Sequence, residues 1–261
     1  IHFLKFKKSM SAFGRHKIHL LIPSIYDLVF DKALNLNVEK FVGKKCYMWY
    51  SVLFNKPKET KQYVPWHYDD YFWNIKGKGC TVWVAINDVD LTMGPMEFAF
   101  DSKVSNFKHE INNDPNNILV RGNIAKYEPS KDIETVKVPL KSGEYSIHSN
   151  TVMHRSGINT SNRDRLAFAF RYIEINAKPQ SFLFLKRGVV SNQKLEKFFY
   201  KESKPLKIEK PLKTMAHIKS VLISTIITFF GDTNRGLMSK IKDLFKFVFS
   251  KKIIFLFKKI K

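Results

Sequence analysis

The chain has 261 residues, 44% of them hydrophobic and 14% aromatic, which excludes a disordered or low-complexity protein and fits one globular domain plus a modest extension. A formal charge of +22 asks for an anionic partner, but 37 of the 45 basic residues are Lys, whereas base and phosphate recognition leans on Arg forks. Two cysteines, Cys46 and Cys80, are too few for a disulfide framework and point to a reducing compartment, the cytoplasm by default.

Residues 1–45 read as helical, with Ile25, Leu28, Val29 and Leu36 near helical spacing after Pro23 and Ser24, and with Gly43 as a stop. The first residue is Ile, so the natural start, with any targeting signal, is taken to lie upstream. From Cys46 the texture changes to short β-rich runs between turn residues: Cys46–Phe54, Val64–Asp69, Cys80–Ile86, Met96–Phe100, Glu134–Leu140, Glu144–His148, Thr151–His154 and Arg165–Ile175. Eight such runs predict a sandwich, jelly roll or barrel, in whose apolar strands Cys46 and Cys80 are inert thiols.

Beyond Ile175 the pattern frays, and Lys201–Lys213, with Pro205 and Pro211, reads as an exposed linker. Residues 201–261 hold 15 basic and 4 acidic residues. Leu237, Ile241, Leu244, Phe245 and Val248 share one helical face there, which predicts a basic amphipathic helix. No run reaches the roughly 18–20 apolar residues of a spanning helix. The tail 215–261 is therefore read as a peripheral anchor on an anionic membrane at its inner face, with a docked helix and a solvated extension as alternatives. Nucleic acid is the weaker partner, because the tail's Phe residues belong to an apolar face rather than to a base-stacking groove.

Chemistry concentrates in two places. His67 and Asp69, two apart at the end of a predicted strand, share a face and can bind one metal. The second cluster holds His148, His154, Ser156 and Arg165. A distal His completes a two-His, one-carboxylate set that leaves metal positions open, and His148 and His154 both compete for that place. Arg165 follows a turn at Asn159–Asp164 and is expected to return beside His154 through a hairpin, with Ala167 and Ala169 leaving room on its face for a ligand. Its guanidinium fork suits a carboxylate.

These blocks resemble the phytanoyl-CoA dioxygenase-like branch of the Fe(II)/2-oxoglutarate-dependent oxygenases over about residues 20–175. The residues are Trp66-His67-x-Asp69-Asp70 with Trp73, Trp83-Val-Ala-Ile-Asn-Asp88, Gly94-Pro95-Met96-Glu97-Phe98, and His154-x-Ser156-x-x-Asn159-x-Ser161 followed by Arg165. The resemblance implies a cupin-like double-stranded β-helix, or jelly roll, which with the helical readings at either end gives a mainly β (α+β) fold with N-terminal helices and a basic helical tail. Together these readings divide the chain into a dioxygenase domain at 1–178, a linker at 179–214 and the tail at 215–261. It implies Fe(II) on His67, Asp69 and His154, leaving His148 in a supporting role. Arg165 and Ser156 would hold the distal carboxylate of 2-oxoglutarate, and Trp83 with strand Cys46–Phe54 would line that pocket. O₂ is the second cosubstrate, and the expected outcome is hydroxylation of a small organic or lipid-linked substrate with release of succinate and CO₂. A catalytically silent ligand- or membrane-binding domain is the alternative.

Two departures bear on the substrate. Phe100-Asp101-Ser102-Lys103 stands where relatives often have Pro-Gly-Ser-His, and Tyr68 stands where Gln is common. Lys103, Lys108 and Arg121 are cations that an anionic substrate could meet, but in so Lys-rich a chain they read as surface.

Overall fold

All eight β-rich runs form strands in the computed structural model, which describes residues 15–73, 75–100, 109–112, 114–119, 123–125, 133–179, 204–207, 217–218 and 221. In chain order the strands are β1 (Cys46–Lys56), β2 (Val64–His67), β3 (Ile75–Lys76), β4 (Gly79–Ala85), β5 (Met96–Ala99) and β6 (His109–Ile111). They continue as β7 (Asn123–Ala125), β8 (Thr135–Val138), β9 (Tyr145–Ser149), β10 (Met153–Ser156), β11 (Arg165–Glu174) and β12 (Lys178–Pro179). Two four-stranded antiparallel sheets result, ordered β1-β11-β4-β9 and β2-β10-β5-β8. The protein has the jelly-roll fold. The remaining strands β3, β6, β7 and β12 are two or three residues long and form two small ladders, β12-β3 and β6-β7.

The chain divides into two compact units. Asp31–Asp70 and Lys78–Ile175 make the unit that contains both large sheets. Helix α2 (Lys32–Val42) follows α1 (Pro23–Val29) in sequence and lies against β4 and β11. Asp31 caps α2 by accepting from Leu34 N at 2.9 Å, and Gly43 stops it with φ +87. The buried stripe of α2 is Leu34, Val38 and Val42, at i, i+4 and i+8. Leu28 and Leu36, expected inside, are 37% and 55% exposed, because each lies outside its helix's buried set, Ile25 and Val29 in α1 and this stripe in α2. Every residue of β4 is buried, since alternate side chains face α2 and the opposite sheet. Full burial of one large apolar side chain there, such as Val82 or Trp83, contributes about 1.5–3 kcal/mol.

The other unit is drawn from Ile1–Phe30, Tyr71–Gly77 and Asn176–Lys261. Its described parts include α1, a 3-10 turn at Ile18–Leu20, and the β12-β3 ladder. His217 and Val221 are wholly buried, and His217 Nε2 donates to His16 O at 2.8 Å, so the first described residues of the tail are docked. Nearly all of the rest of 179–261, and with it the amphipathic helix, lies outside the described residues, as do Lys103, Lys108 and Arg121.

Both cysteines are free thiols. Burial, then the charge of Glu39, pushes Cys46 up to about 11. Burial followed by Cys46 pushes Cys80 up to about 12, so neither forms thiolate at neutral pH.

Candidate metal centre and cosubstrate cavity

His67 and His154 are direct cross-strand partners in the β2-β10 ladder, with ring centroids 4.1 Å apart. The same local device aims both rings. His67 Nδ1 lies 2.9 Å from Pro65 O, and His154 Nδ1 lies 3.0 Å from Val152 O, each a carbonyl two residues earlier. A carbonyl only accepts, so Nδ1 carries the proton in both rings and Nε2 is left as a lone pair. Burial lowers the pKa of both histidines, and for His154 the neighbouring His67 and His148 add to it, which keeps the rings neutral as metal ligands require.

Asp69 completes the group: its carboxylate and the two imidazoles present ligand atoms all within 4.8 Å of one another, and all three residues are buried. The strand expected through Asp69 ends at His67. Asp70 ends the ladder because its N–H donates to Asn150 O at 2.8 Å while its carboxylate accepts from Asn150 Nδ2 at 2.9 Å. This tie to the turn after β9 releases Asp69 from strand alternation. Its Oδ2 accepts from Thr81 Oγ1 at 2.6 Å, and Arg171 Nη2 stands 3.5 Å from Oδ1. Burial alone would raise the Asp69 pKa, but Arg171, His148 and His154 outweigh it and hold the carboxyl well below its ordinary value. His148 lies outside the three-residue group; its Nε2 is 3.7 Å from Asp69 Oδ2, and its ring centroid is 4.6 Å from that of His154.

The sheet opposite supplies a cationic end to the cavity. Arg165 and Lys56 are cross-strand partners at the ends of β11 and β1, 3% and 1% exposed. Ser156 Oγ accepts from both, from Lys56 Nζ at 2.5 Å and from Arg165 Nη1 at 3.1 Å. Arg165 Nη1 also donates to Gly94 O, and Lys56 Nζ donates to Ser156 O and Gly157 O. Trp83 lies under the guanidinium at 5.2 Å, and Arg165 Nε is a buried donor with no acceptor among the described residues. Lys56 is pulled down to about 6, first by burial and then by the charge of Arg165.

Arg165 does not arrive through a hairpin. Strands β10 and β11 belong to different sheets, and the segment between them crosses from one to the other. The crossover is fixed by Asn159, which is fully buried. Its Nδ2 donates to Pro57 O at 3.0 Å and Arg163 O at 2.8 Å, while its Oδ1 accepts from Ser161 N and Ser161 Oγ. Asn87 Oδ1 then accepts from Leu166 N at 2.8 Å and seats the start of β11. Gly94 sits in the left-handed region at φ +61, and a Cβ there would strike Gly157 O and Ile158 O. The short blocks around Asn87, Gly94 and Asn159 thus share one outcome, the placement of Arg165.

The sequence reading left out Lys56. Val52 and Phe54 share a strand face with it, and continuing that alternation two residues past Phe54 would have found it.

A cavity of about 110 Å³ is lined from both sheets by the triad, Phe54, Thr81, Trp83, Met96, His148, Ser156, Arg165, Ala169 and Arg171, among others. A larger cavity of about 580 Å³ is lined by Trp66, Glu97 and Arg155, whose strand neighbours His67, Phe98 and His154 face the triad side. In it Arg155 forks onto Glu97 at 3.0 and 3.1 Å and stacks on Trp66 at 4.6 Å, so that guanidinium is already used.

The family model for phytanoyl-CoA dioxygenase matches residues 6–167. The chain belongs to that family. Among solved structures this family member is similar to the apo form of the non-heme monooxygenase ThoJ, at TM-score 0.57 and 24% identity, over 68% of this chain and 66% of that one. Its nickel complex matches at TM-score 0.51 and 22% identity with the same coverage, so the chain spans just under two thirds of those chains. The epimerase SnoN, in complex with Fe3+, alpha ketoglutarate and nogalamycin RO, matches at TM-score 0.50 and 19% identity over 74% of this chain and 72% of that one. At these identities the structures share the fold. No curated protein matches.

Fe(II), 2-oxoglutarate and O₂ are the cofactor set of the phytanoyl-CoA dioxygenase family. The donors present here suit it: two imidazole lone pairs and a carboxylate match non-haem Fe(II), and a buried Arg with an orphaned donor matches a carboxylate.

Proposed function

We propose that the protein is an Fe(II)- and 2-oxoglutarate-dependent hydroxylase in which His67, Asp69 and His154 hold the metal. In this reading Arg165, Ser156 and Lys56, backed by Trp83, hold the distal carboxylate of 2-oxoglutarate. The observation that carries it is the matched pair of histidines, each with Nδ1–H given to a carbonyl two residues back, which makes Nε2 the nitrogen each ring offers to the buried group they form with Asp69. Iron bound there supplies O₂ activation and the oxidising step, with 2-oxoglutarate leaving as succinate and CO₂.

The chain's own residues bind and orient. With Lys56 charged, Ser156 Oγ receives two donors and its single hydrogen turns to another acceptor, of which an arriving carboxylate is one. Trp83 fixes the plane of the Arg165 fork. Thr81 and Arg171 hold the Asp69 carboxylate in one orientation, and burial of all three ligands keeps bulk water from them. The substrate is a small molecule, and we place it among small organic or lipid-linked compounds hydroxylated at an unactivated C–H.

Succinate release from 2-oxoglutarate by Fe(II)-loaded protein, together with Fe(II)-dependent 2-oxoglutarate binding, is the expected result. Absence of both leaves the silent ligand-binding domain. Peripheral contact of residues 215–261 with anionic membrane belongs to the same proposal; no described helix is long and apolar enough to cross a bilayer. Sedimentation with anionic and neutral liposomes, comparing the full chain with a truncation after Lys213, tests it. Salt-sensitive binding only by the full chain supports it, and equal behaviour of the two removes it.

A further inference from the structure

We propose that Ile118 and Leu119 set the substrate specificity of the metal cavity by forming an apolar rim at its mouth, so that the substrate presents a hydrocarbon segment at the carbon to be oxidised. The proposal deepens the functional reading above and rests on it.

All but two of the described residues that line the metal cavity lie on strands of the two large sheets or, like Asp69, beside one. The exceptions, Ile118 and Leu119, come from the turn-rich segment ahead of β7. Backbone bonds hang that segment on the residue before β2. Asn116 O accepts from Tyr63 N at 3.0 Å, and Ile118 N donates to Tyr63 O at 3.1 Å. Asp114 braces the turn, its Oδ2 accepting from the Tyr63 hydroxyl at 2.9 Å and its Oδ1 from Asn116 N at 2.8 Å. The two aliphatic residues that follow this polar turn are thereby held at the edge of the cavity. Ile118 is 37% exposed, while every other described lining residue is buried or half-buried, so the cavity meets solvent at this rim.

The polar lining is already committed. The triad is given to metal, and Ser156 and Arg165 to the cosubstrate. Thr81, His148 and Arg171 stand against Asp69, and Arg155 is forked onto Glu97. Phe54, Trp83, Met96 and Ala169 pack into the sheet core. Val64, Ile118 and Leu119 remain, and Val64 directly follows the residue that holds the rim segment. At about 110 Å³ the cavity is smaller than the roughly 300–1,000 Å³ of a typical small-molecule site. With the cosubstrate inside, the substrate therefore enters by its reacting end and meets these three side chains at the mouth. A rim of aliphatic side chains offers nothing to offset the desolvation of a charged or polar group, and it gains from covering hydrocarbon.

The test uses the full chain loaded with Mn(II) and 2-oxoglutarate, in which the paramagnetic ion broadens proton signals of small molecules bound beside it. Propan-1-ol, butan-1-ol and pentan-1-ol are titrated as probes. Wild-type affinity should rise about threefold per added methylene. Ile118→Asn and Leu119→Asn should each bring that increment close to one, and Ile118→Val should keep most of it. Leu36→Asn, which removes an exposed apolar side chain of α2 that does not line the cavity, should leave it unchanged. Because each increment is a ratio within one protein, differences in folded fraction or metal loading cancel.

A flat series in wild type overturns the proposal, as does an increment that survives both Asn substitutions or one that falls equally in Leu36→Asn. Loss of 2-oxoglutarate affinity in Ile118→Asn with an unchanged increment assigns the rim to the cosubstrate and overturns it too. Failure of wild type to bind 2-oxoglutarate at all would instead overturn the functional reading, and this inference with it.

Discussion

On the β2-β10-β5-β8 sheet the histidines are aimed by hydrogen bonds that reach back two residues, whereas on the β1-β11-β4-β9 sheet the polar side chains are aimed by register between strands. The first device is local and survives small shifts of its neighbours. The second joins positions far apart in sequence, such as Lys56 with Arg165 and Thr81 with Arg171, and depends on the crossover that seats β11. Metal ligation and anion binding are therefore separable properties, and substitutions should divide along the same line.

Removing a donor from the histidine side has the largest expected effect. His67→Ala, Asp69→Ala and His154→Ala should each abolish detectable Fe(II) binding, whereas His148→Ala, which loses a neighbour of Asp69, should weaken it by about 10–100-fold at most. Calorimetric titration with metal reads the contrast. Complete loss on His148→Ala beside a working His154→Ala would exchange the roles of the two histidines.

Next comes the register side. Arg165→Lys should leave metal affinity alone and weaken 2-oxoglutarate binding by about 2–5 kcal/mol, because a point charge cannot replace a buried fork that touches Ser156 and Gly94. Equilibrium dialysis with metal-saturated protein measures it, and wild-type affinity in the Lys variant would remove Arg165 from the clamp.

That separation also explains what could be read from the sequence. The eight large-sheet strands announce themselves by composition and turn residues, and β1, β5 and β10 begin or end within two residues of expectation. The four short strands carry too few residues to show any alternation. His67 and Asp69 were legible as a pair because they are two apart, yet the reason they share a face is the Asp70–Asn150 tie rather than a strand. Arg165 was legible as a position but its route was not: whether a turn closes a hairpin or crosses between sheets is decided by Asn159 and Asn87 bonding to distant backbone. Lys56 went unread because burying a lysine is costly, and composition alone assigns it to solvent.

A smaller effect tests the crossover itself. Gly94→Ala should cost about 1–3 kcal/mol for the left-handed backbone alone, with more from its contact with Gly157 O and Ile158 O. Chemical denaturation gives the loss, and 2-oxoglutarate affinity should fall with it because Gly94 O anchors Arg165. Unchanged affinity in a destabilised protein would mean that the crossover does not set the clamp.

The smallest effect is a pH slope. Lys56 is lowered to about 6, so above that pH it is mainly neutral in the free protein and must take up a proton when a carboxylate arrives. Affinity of metal-saturated protein for 2-oxoglutarate should then fall as pH rises from about 6.5 to 8.5, by at most about tenfold per unit, and should level off below pH 6. Lys56→Gln should flatten the slope. A wild-type affinity that rises with pH would contradict a carboxylate-binding Lys56.

The central claim, that two imidazoles meet Asp69 through Nε2, is tested most directly by nitrogen NMR of ¹⁵N-histidine protein as Zn(II), a diamagnetic stand-in, is added. The account predicts that His67 and His154 keep Nδ1–H throughout while their Nε2 signals alone shift to metal-bound values. Metal-bound Nδ1 in either ring, or a shift of His148 in place of His154, would contradict it.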